Sequence, residues 1–172
     1  MSITTKHITI ASLYAALYAT ITILETVTVG TLAYGPIQVR VSDALLPLPM
    51  IHGVPAAIGL AIGCFIANAY ATGNIIDMVF GSIANLVAGV LAAKASKGKP
   101  FLASTYAVLA VTFIVGTYLP LLFPIPLWFS YASVFAGEAI AIYLIGYPLL
   151  KILQKTYAPV SYTHLRAHET EA

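Results

Sequence analysis

The chain has 172 residues, 60% of them hydrophobic and 8% charged, with a net charge of +2 at neutral pH and a mean hydropathy of +0.92. Soluble domains carry about 25% charged residues, and disorder demands low hydrophobicity with high charge, so both classes are excluded. A net charge this small gives no reason to expect nucleic-acid binding. What remains is an integral membrane protein with a mostly lipid-facing surface.

A spanning helix needs roughly 20 apolar residues plus a short turn, so the chain holds about six crossings and no large extramembrane domain. The first run, 8–29, follows Lys6 as a signal peptide's core would. It is long and lacks a clear small-residue cleavage site, so it is expected to be the first transmembrane helix. Residues 44–51 are too short and too proline-rich, with Pro47 and Pro49, to span as a regular helix, and predict a short or broken second one. Further apolar runs at 54–71, 75–93, 101–123 and 126–150 complete six segments. The expected fold is an all-α six-transmembrane-helix bundle forming a single domain over 1–157.

Cation placement supports that count. Lys6, the Lys94, Lys97 and Lys99 loop, and the Lys151 and Lys155 pair share one side if there are six crossings, which leaves Arg40 opposite. Positive-inside bias puts both termini in the cytoplasm. A single cysteine, Cys64, excludes a disulfide framework and a multi-cysteine metal site. No metal or cofactor is expected. The polar tail 158–172 carries His164 and His168 four apart, a metal-pair spacing on a helix, but on an unanchored terminus such histidines are solvated. The string resembles a translated sequencing-adapter read-through and is expected to lie outside the natural domain.

Charges inside a membrane are expensive and therefore informative. There are five: Glu25, Arg40, Asp43, Asp77 and Glu138. All fall in the outer half or at the centre, which predicts a polar pocket opening outward with its floor near Glu138. Bland readings exist for most of them. Asp43 and Asp77 sit where a helix dipole favours an acid, Arg40 can pair with Asp43, and Glu25 can reach water. Glu138 has no cation nearby in sequence, so it is either paired to another helix or binds something. In PIQVRVSD, Gln38, Arg40 and Ser42 alternate with apolar residues, so an extended segment would turn all three to one face. Ser42 or Asp43 could then cap the short helix. Asn68, Asn74 and Asn85 could add amides to the pocket. Trp128 and Tyr131 could add aromatic faces, or serve only as interface anchors.

Two rows of small residues, Ala11, Ala15 and Ala19 on the first helix and Gly59, Gly63 and Ala67 on the third, permit close helix approach. Such rows usually pack internally; the first could instead face lipid and dock another membrane protein. Gly98–Pro100 lacks the glycine spacing and Ser/Thr of a phosphate-binding loop, so the chain is expected to hydrolyse no ATP and to be no enzyme.

GPIQVRVSDALLPLP, followed by GLAIGCFIAN, IIDMVFGSIANLVAG and GEAIAIYLIG, resembles the queuosine-precursor transporter (QueT) family over residues 8–155. The resemblance implies a substrate-binding S-component of an energy-coupling-factor (ECF) transporter. Such a subunit works with a transmembrane coupling subunit and two ABC-type ATPase subunits in the cell membrane. It also implies that Gln38, Arg40, Asp43, Asn68, Asp77 and Glu138 occupy polar motif positions, and that the alanine row is the docking motif. The implied substrate is a deazaguanine-type base. Its adjacent ring N–H and exocyclic amine would both donate to one carboxylate, for which Glu138 is the candidate, and a cationic aminomethyl group would meet Asp43, Asp77 or Glu25. Uptake of another heterocycle or vitamin, a stand-alone proton-coupled carrier, and a membrane scaffold are the competing readings.

Overall fold

The computed structural model describes residues 4–30, 34–36 and 38–156, so the polar tail with His164 and His168, and Ile37 of the alternating segment, lie outside the described residues. The described residues are helical with short connections. We label the helices α1 (Thr5–Val29), α2 (Pro49–His52), α3 (Val54–Ala71), α4 (Ile75–Lys94), α5 (Pro100–Tyr118) and α6 (Leu127–Thr156). Five of these are long and apolar enough to cross a membrane, counting the 3₁₀ turn that extends α5 to Leu121. The expected short or broken second helix takes the form of a 3₁₀ turn, Val41–Leu45, followed by the single turn α2. The proline pair explains this, since each proline removes an amide hydrogen from any regular helix through 44–51.

Close contacts give the course of the chain. Gly59 and Gly63 of α3 lie against Ala11 and Ala15 of α1, so these two helices run parallel. Gly89 of α4 faces Ala57, whereas Gly81 faces Asn68, so α4 runs back. The α5–α6 pair is antiparallel: Thr105 bonds Tyr143 (2.9 Å) at one level and Gly116 faces Tyr131 at another. Gln154 donates to the Gly98 carbonyl at 3.1 Å, which joins the end of α6 to the α4–α5 loop. Lys6 and His52 border one groove at the start of α1. Hence Lys6, Lys94, Lys97, Lys99, Lys151 and Lys155 gather at a single end of the bundle. The opposite end holds the loops after α1, α3 and α5.

The segment 38–52 descends from that opposite end along α1. Val41 meets Glu25, Ser42 meets Thr22, Asp43 meets Tyr18, and His52 meets Tyr14. This return pass of about eleven α1 residues is roughly 16 Å deep, so the chain between the parallel α1 and α3 comes back partly as extended backbone. Non-helical backbone at such depth is tolerated only where protein shields it. Here α6 provides the shield: Gly137 touches the Gln38 carbonyl, and a Cβ on Gly146 would come within 2.6 Å of the Ala44 carbonyl oxygen. Between those glycines α6 widens into a π-helix, Ile140–Gly146.

The alanine row is turned to α3 rather than to lipid. Ala11 and Ala15 are half-buried against Gly59 and Gly63, and Ala19 is buried. The two small-residue rows therefore meet in one internal contact, the usual use of such rows. On α1 it is Ser12, Ala16 and Thr20 that are exposed.

Candidate functional site

The alternation in the outer segment is preserved. Gln38, Arg40 and Ser42 are buried, Val39 is half-buried and Val41 is exposed, with Arg40 in extended conformation. Neither Ser42 nor Asp43 caps a helix. Ser42 accepts from Thr22 at 2.7 Å, and Asp43 Oδ1 accepts the Tyr18 hydroxyl at 2.5 Å. Glu25 holds the segment from α1, both its oxygens accepting the Val41 amide at 3.0–3.1 Å.

Arg40 is the hub. Its Nε stands 3.5 Å from Asp43 Oδ2, an ion pair without hydrogen-bond geometry. One guanidinium NH donates to Asn68 Oδ1 at 3.4 Å, and the group lies 5.4 Å from the centre of the Tyr34 ring. Asn68 also accepts the Tyr34 hydroxyl (2.9 Å) and donates to the Asp77 carbonyl (2.8 Å), linking α3 to α4. Burial pushes the Tyr34 phenol above its ordinary pKa, so it is a neutral donor at pH 7.

Glu138 sits on α6 just ahead of the π-helix, 6% exposed, with its carboxyl against that of Asp43 and within the field of Arg40. It lies eleven residues into α6, about 16 Å from the outer end, and Tyr18 lies thirteen residues into α1, about 20 Å from the lysine end. Both acids therefore stand near the middle of the bundle. Three atoms that converge here have no hydrogen-bond partner among the described residues: Arg40 Nε, Asp43 Oδ2 and Glu138 Oε2. Buried polar atoms are normally satisfied.

Above this layer, toward the end away from the lysines, is a cavity of about 180 Å³. Tyr34, Gln38, Thr72, Asn74 and Asp77 form its polar side, and Leu119, Leu122 and Phe123 its apolar side. Asp77, 6% exposed, accepts the Tyr118 hydroxyl at 2.6 Å and Thr72 Oγ at 3.3 Å. Capping α4 falls instead to Asn74, whose side chain accepts the Ile76 amide at 2.9 Å.

Six of the expected residues therefore come together: Gln38, Arg40, Asp43, Asn68, Asp77 and Glu138. Two do not. Trp128 is 71% exposed and packs edge-on against Phe129 at the outer start of α6. Tyr131 lays its ring on Gly116 and bonds Thr117 at 2.9 Å, on the outside of the α5–α6 seam. Both suit the interfacial role of membrane aromatics. Asn85 is buried two turns below Asp77, its Nδ2 unpartnered, and does not line the cavity. The tyrosines 18, 34 and 118, which hold Asp43, Asn68 and Asp77, were missed. The available signal was Tyr14 and Tyr18 at a four-residue spacing on the face that later proves buried.

Fold and site together define a multi-pass helical membrane protein with a buried polar centre midway along the bundle. The family model described as QueT transporter matches residues 8–155, and the chain belongs to this family. It is a family of transporters, not of enzymes. No curated protein and no solved structure matched the chain.

Proposed function

We propose that the chain is the substrate-binding subunit of an energy-coupling-factor transporter that takes up a deazaguanine-type queuosine precursor. Both termini are cytoplasmic, and partner ATPases power the import. The observation that carries the reading is the site of a QueT-family chain: a cavity at the end away from the lysines, underlain by three convergent polar atoms without partners. A ligand with paired N–H donors and a carbonyl acceptor suits an unpaired carboxylate oxygen beside an unpaired guanidinium N–H. Glu138 takes the role of base-recognising acid, and Asp43 and Arg40 orient it. Substrate enters through the cavity past Tyr34 and Gln38. The distribution of charge favours a subunit over a stand-alone carrier, since the described charged residues below Glu138 are the lysines at the bundle end.

The coupling subunit is placed along α1. With Ala11 and Ala15 against α3 and Ala19 buried, the row of small residues left open to it at four-residue spacing is Ser12, Ala16 and Thr20. Binding of deazaguanine bases to the purified chain, read by calorimetry, tests the substrate. Uptake into vesicles with and without the ATPase module tests the partners. Saturable binding with uptake only when the module is present is the expected result. Uptake by the chain alone, driven by a proton gradient, would establish the carrier instead.

A further inference from the structure

At the lysine end the bundle is split by a groove of about 880 Å³ that the polar centre does not use. Leu13 and Leu17 of α1 form one wall, and they are 55% and 42% exposed, so the groove opens sideways to lipid. Leu149 and Leu153 of α6 form the other wall, and Leu45 and Leu48 of the irregular segment are its floor. Its character changes along α1. Toward Leu17 it is apolar, whereas Thr5 and Lys6 stand at its mouth, in the first turn of the helix. No acid lines the groove, and Lys6 has no ion pair among the described residues. The lysine is thus a cation at the membrane interface with apolar surface leading inward from it.

Length and shape select the occupant. Lys6 and Leu17 are eleven helical residues apart, about 16 Å, and the hydrocarbon of one leaflet is about 15 Å thick. A hydrocarbon tail whose head lies beside Lys6 therefore reaches the bilayer midplane without leaving the groove. A docked protein helix is disfavoured, because close helix approach needs small residues and these walls are leucine. We infer that the groove is a lipid site: an anionic phospholipid lays one acyl chain between α1 and α6 and sets its phosphate against Lys6. The preference for negative charge comes from Lys6, and a lipid without net charge makes the same apolar contact but gains less there. The groove is separate from the polar centre, so this lipid site and the substrate reading stand or fall independently.

The test measures dissociation constants of phosphatidylglycerol and phosphatidylcholine, with matched acyl chains, by native mass spectrometry of the purified chain in neutral detergent. Wild type is expected to hold the anionic lipid roughly fivefold more tightly, the worth of one lysine near a charged headgroup. Lys6→Gln, at an exposed position where folding is not at stake, brings the two lipids within about twofold of each other. Lys6→Arg keeps the preference, and so does Lys99→Gln at the same end of the bundle. Leu13→Trp, which crowds the groove from its exposed wall, weakens both lipids alike. Equal affinity of the two lipids for wild type overturns the inference. So does a preference that survives Lys6→Gln, or one lost equally in Lys99→Gln, which would mark diffuse attraction by the whole lysine end. Binding unchanged in Leu13→Trp also overturns it and leaves the groove to a protein partner.

Discussion

Replacing Glu138 by glutamine separates a binding role from a structural one. The change keeps side-chain volume and exchanges one acceptor oxygen for an amide donor. In the free protein Glu138 is 6% exposed, its Oε2 has no partner, and its neighbour is a second carboxylate, Asp43. An amide N–H can take over the hydrogen bond that a shared proton makes between two buried carboxyls in contact. The ligand-free variant should therefore melt within about 5 °C of wild type for a chain of this size. Binding should fall. Against a base edge presenting two donors, glutamine accepts one and turns its own N–H toward the other. Losing a charge-assisted bond and leaving a buried donor unsatisfied costs about 2–5 kcal/mol, or thirtyfold to several thousandfold in affinity. Differential scanning fluorimetry and calorimetry on one preparation read both quantities. Unchanged affinity would refute the placement of Glu138 at the base edge. A steep fall in ligand-free melting temperature would instead make it a structural partner of Asp43.

Arg40→Ala should be the most damaging single change at the site, because it strands Asp43 and Glu138 without a cation; about 3–5 kcal/mol of stability is expected to go, visible as a loss of monodisperse protein or a large fall in melting temperature. Gly137→Ala puts a methyl group into the Gln38 carbonyl, so it should lower stability by about 1–3 kcal/mol and weaken ligand binding as the outer segment lifts from α6; wild-type values for both would show that the segment is free to move. Gly63→Ala brings a Cβ within 2.7 Å of the Ala15 carbonyl oxygen and 2.9 Å of Tyr18 Cβ, and thermal unfolding should show a loss of similar size. For orientation, Lys99→Cys and Ile75→Cys, both exposed and both clear of the positive-φ glycines, should label from the cytoplasmic and external sides respectively with an impermeant thiol reagent, Cys64 being buried and silent; external labelling at Lys99→Cys would invert the topology.

What could be read from the sequence was whatever the bilayer makes expensive. Arg40, Asp43, Asp77 and Glu138 stood out because a charge in an apolar run needs a reason, and all four are buried at one centre. The period-two pattern at Gln38, Arg40 and Ser42 was legible because extended chain repeats every two residues whatever surrounds it. Tyrosine gave no comparable signal. It counts as hydrophobic in composition, and only the fold shows that the Tyr18, Tyr34 and Tyr118 hydroxyls point at Asp43, Asn68 and Asp77. Trp128 and Tyr131 stayed ambiguous for the converse reason, since an aromatic near a helix end suits a pocket and a lipid interface equally well. The alanine row was ambiguous because a small-residue stripe shows that something approaches closely, without showing what. The partner was in this chain, one turn along each of Gly59 and Gly63.

The irregular backbone and the charged centre are two aspects of one arrangement. A regular second helix would place residues 38–45 at helical spacing, with Arg40 and Asp43 on one face and Gln38 turned away. Extended chain at Gln38–Arg40 followed by a 3₁₀ turn sends Gln38, Arg40, Ser42 and Asp43 inward together. That geometry needs three supports, because extended backbone inside a bilayer has no ladder of its own. Glu25 takes up the Val41 amide, Gly137 lets α6 approach the Gln38 carbonyl, and Gly146 does the same at Ala44. The π-helix between the two glycines adds one residue to the turn just below Glu138. Such widened turns are frequent at functional sites, and this one sets the register in which both glycines meet the segment while Glu138 reaches Asp43. The prolines that break the second helix thus belong to the site as much as the acids do: without them the chain at 44–51 could be regular, and the centre would lose the segment that carries its one cation.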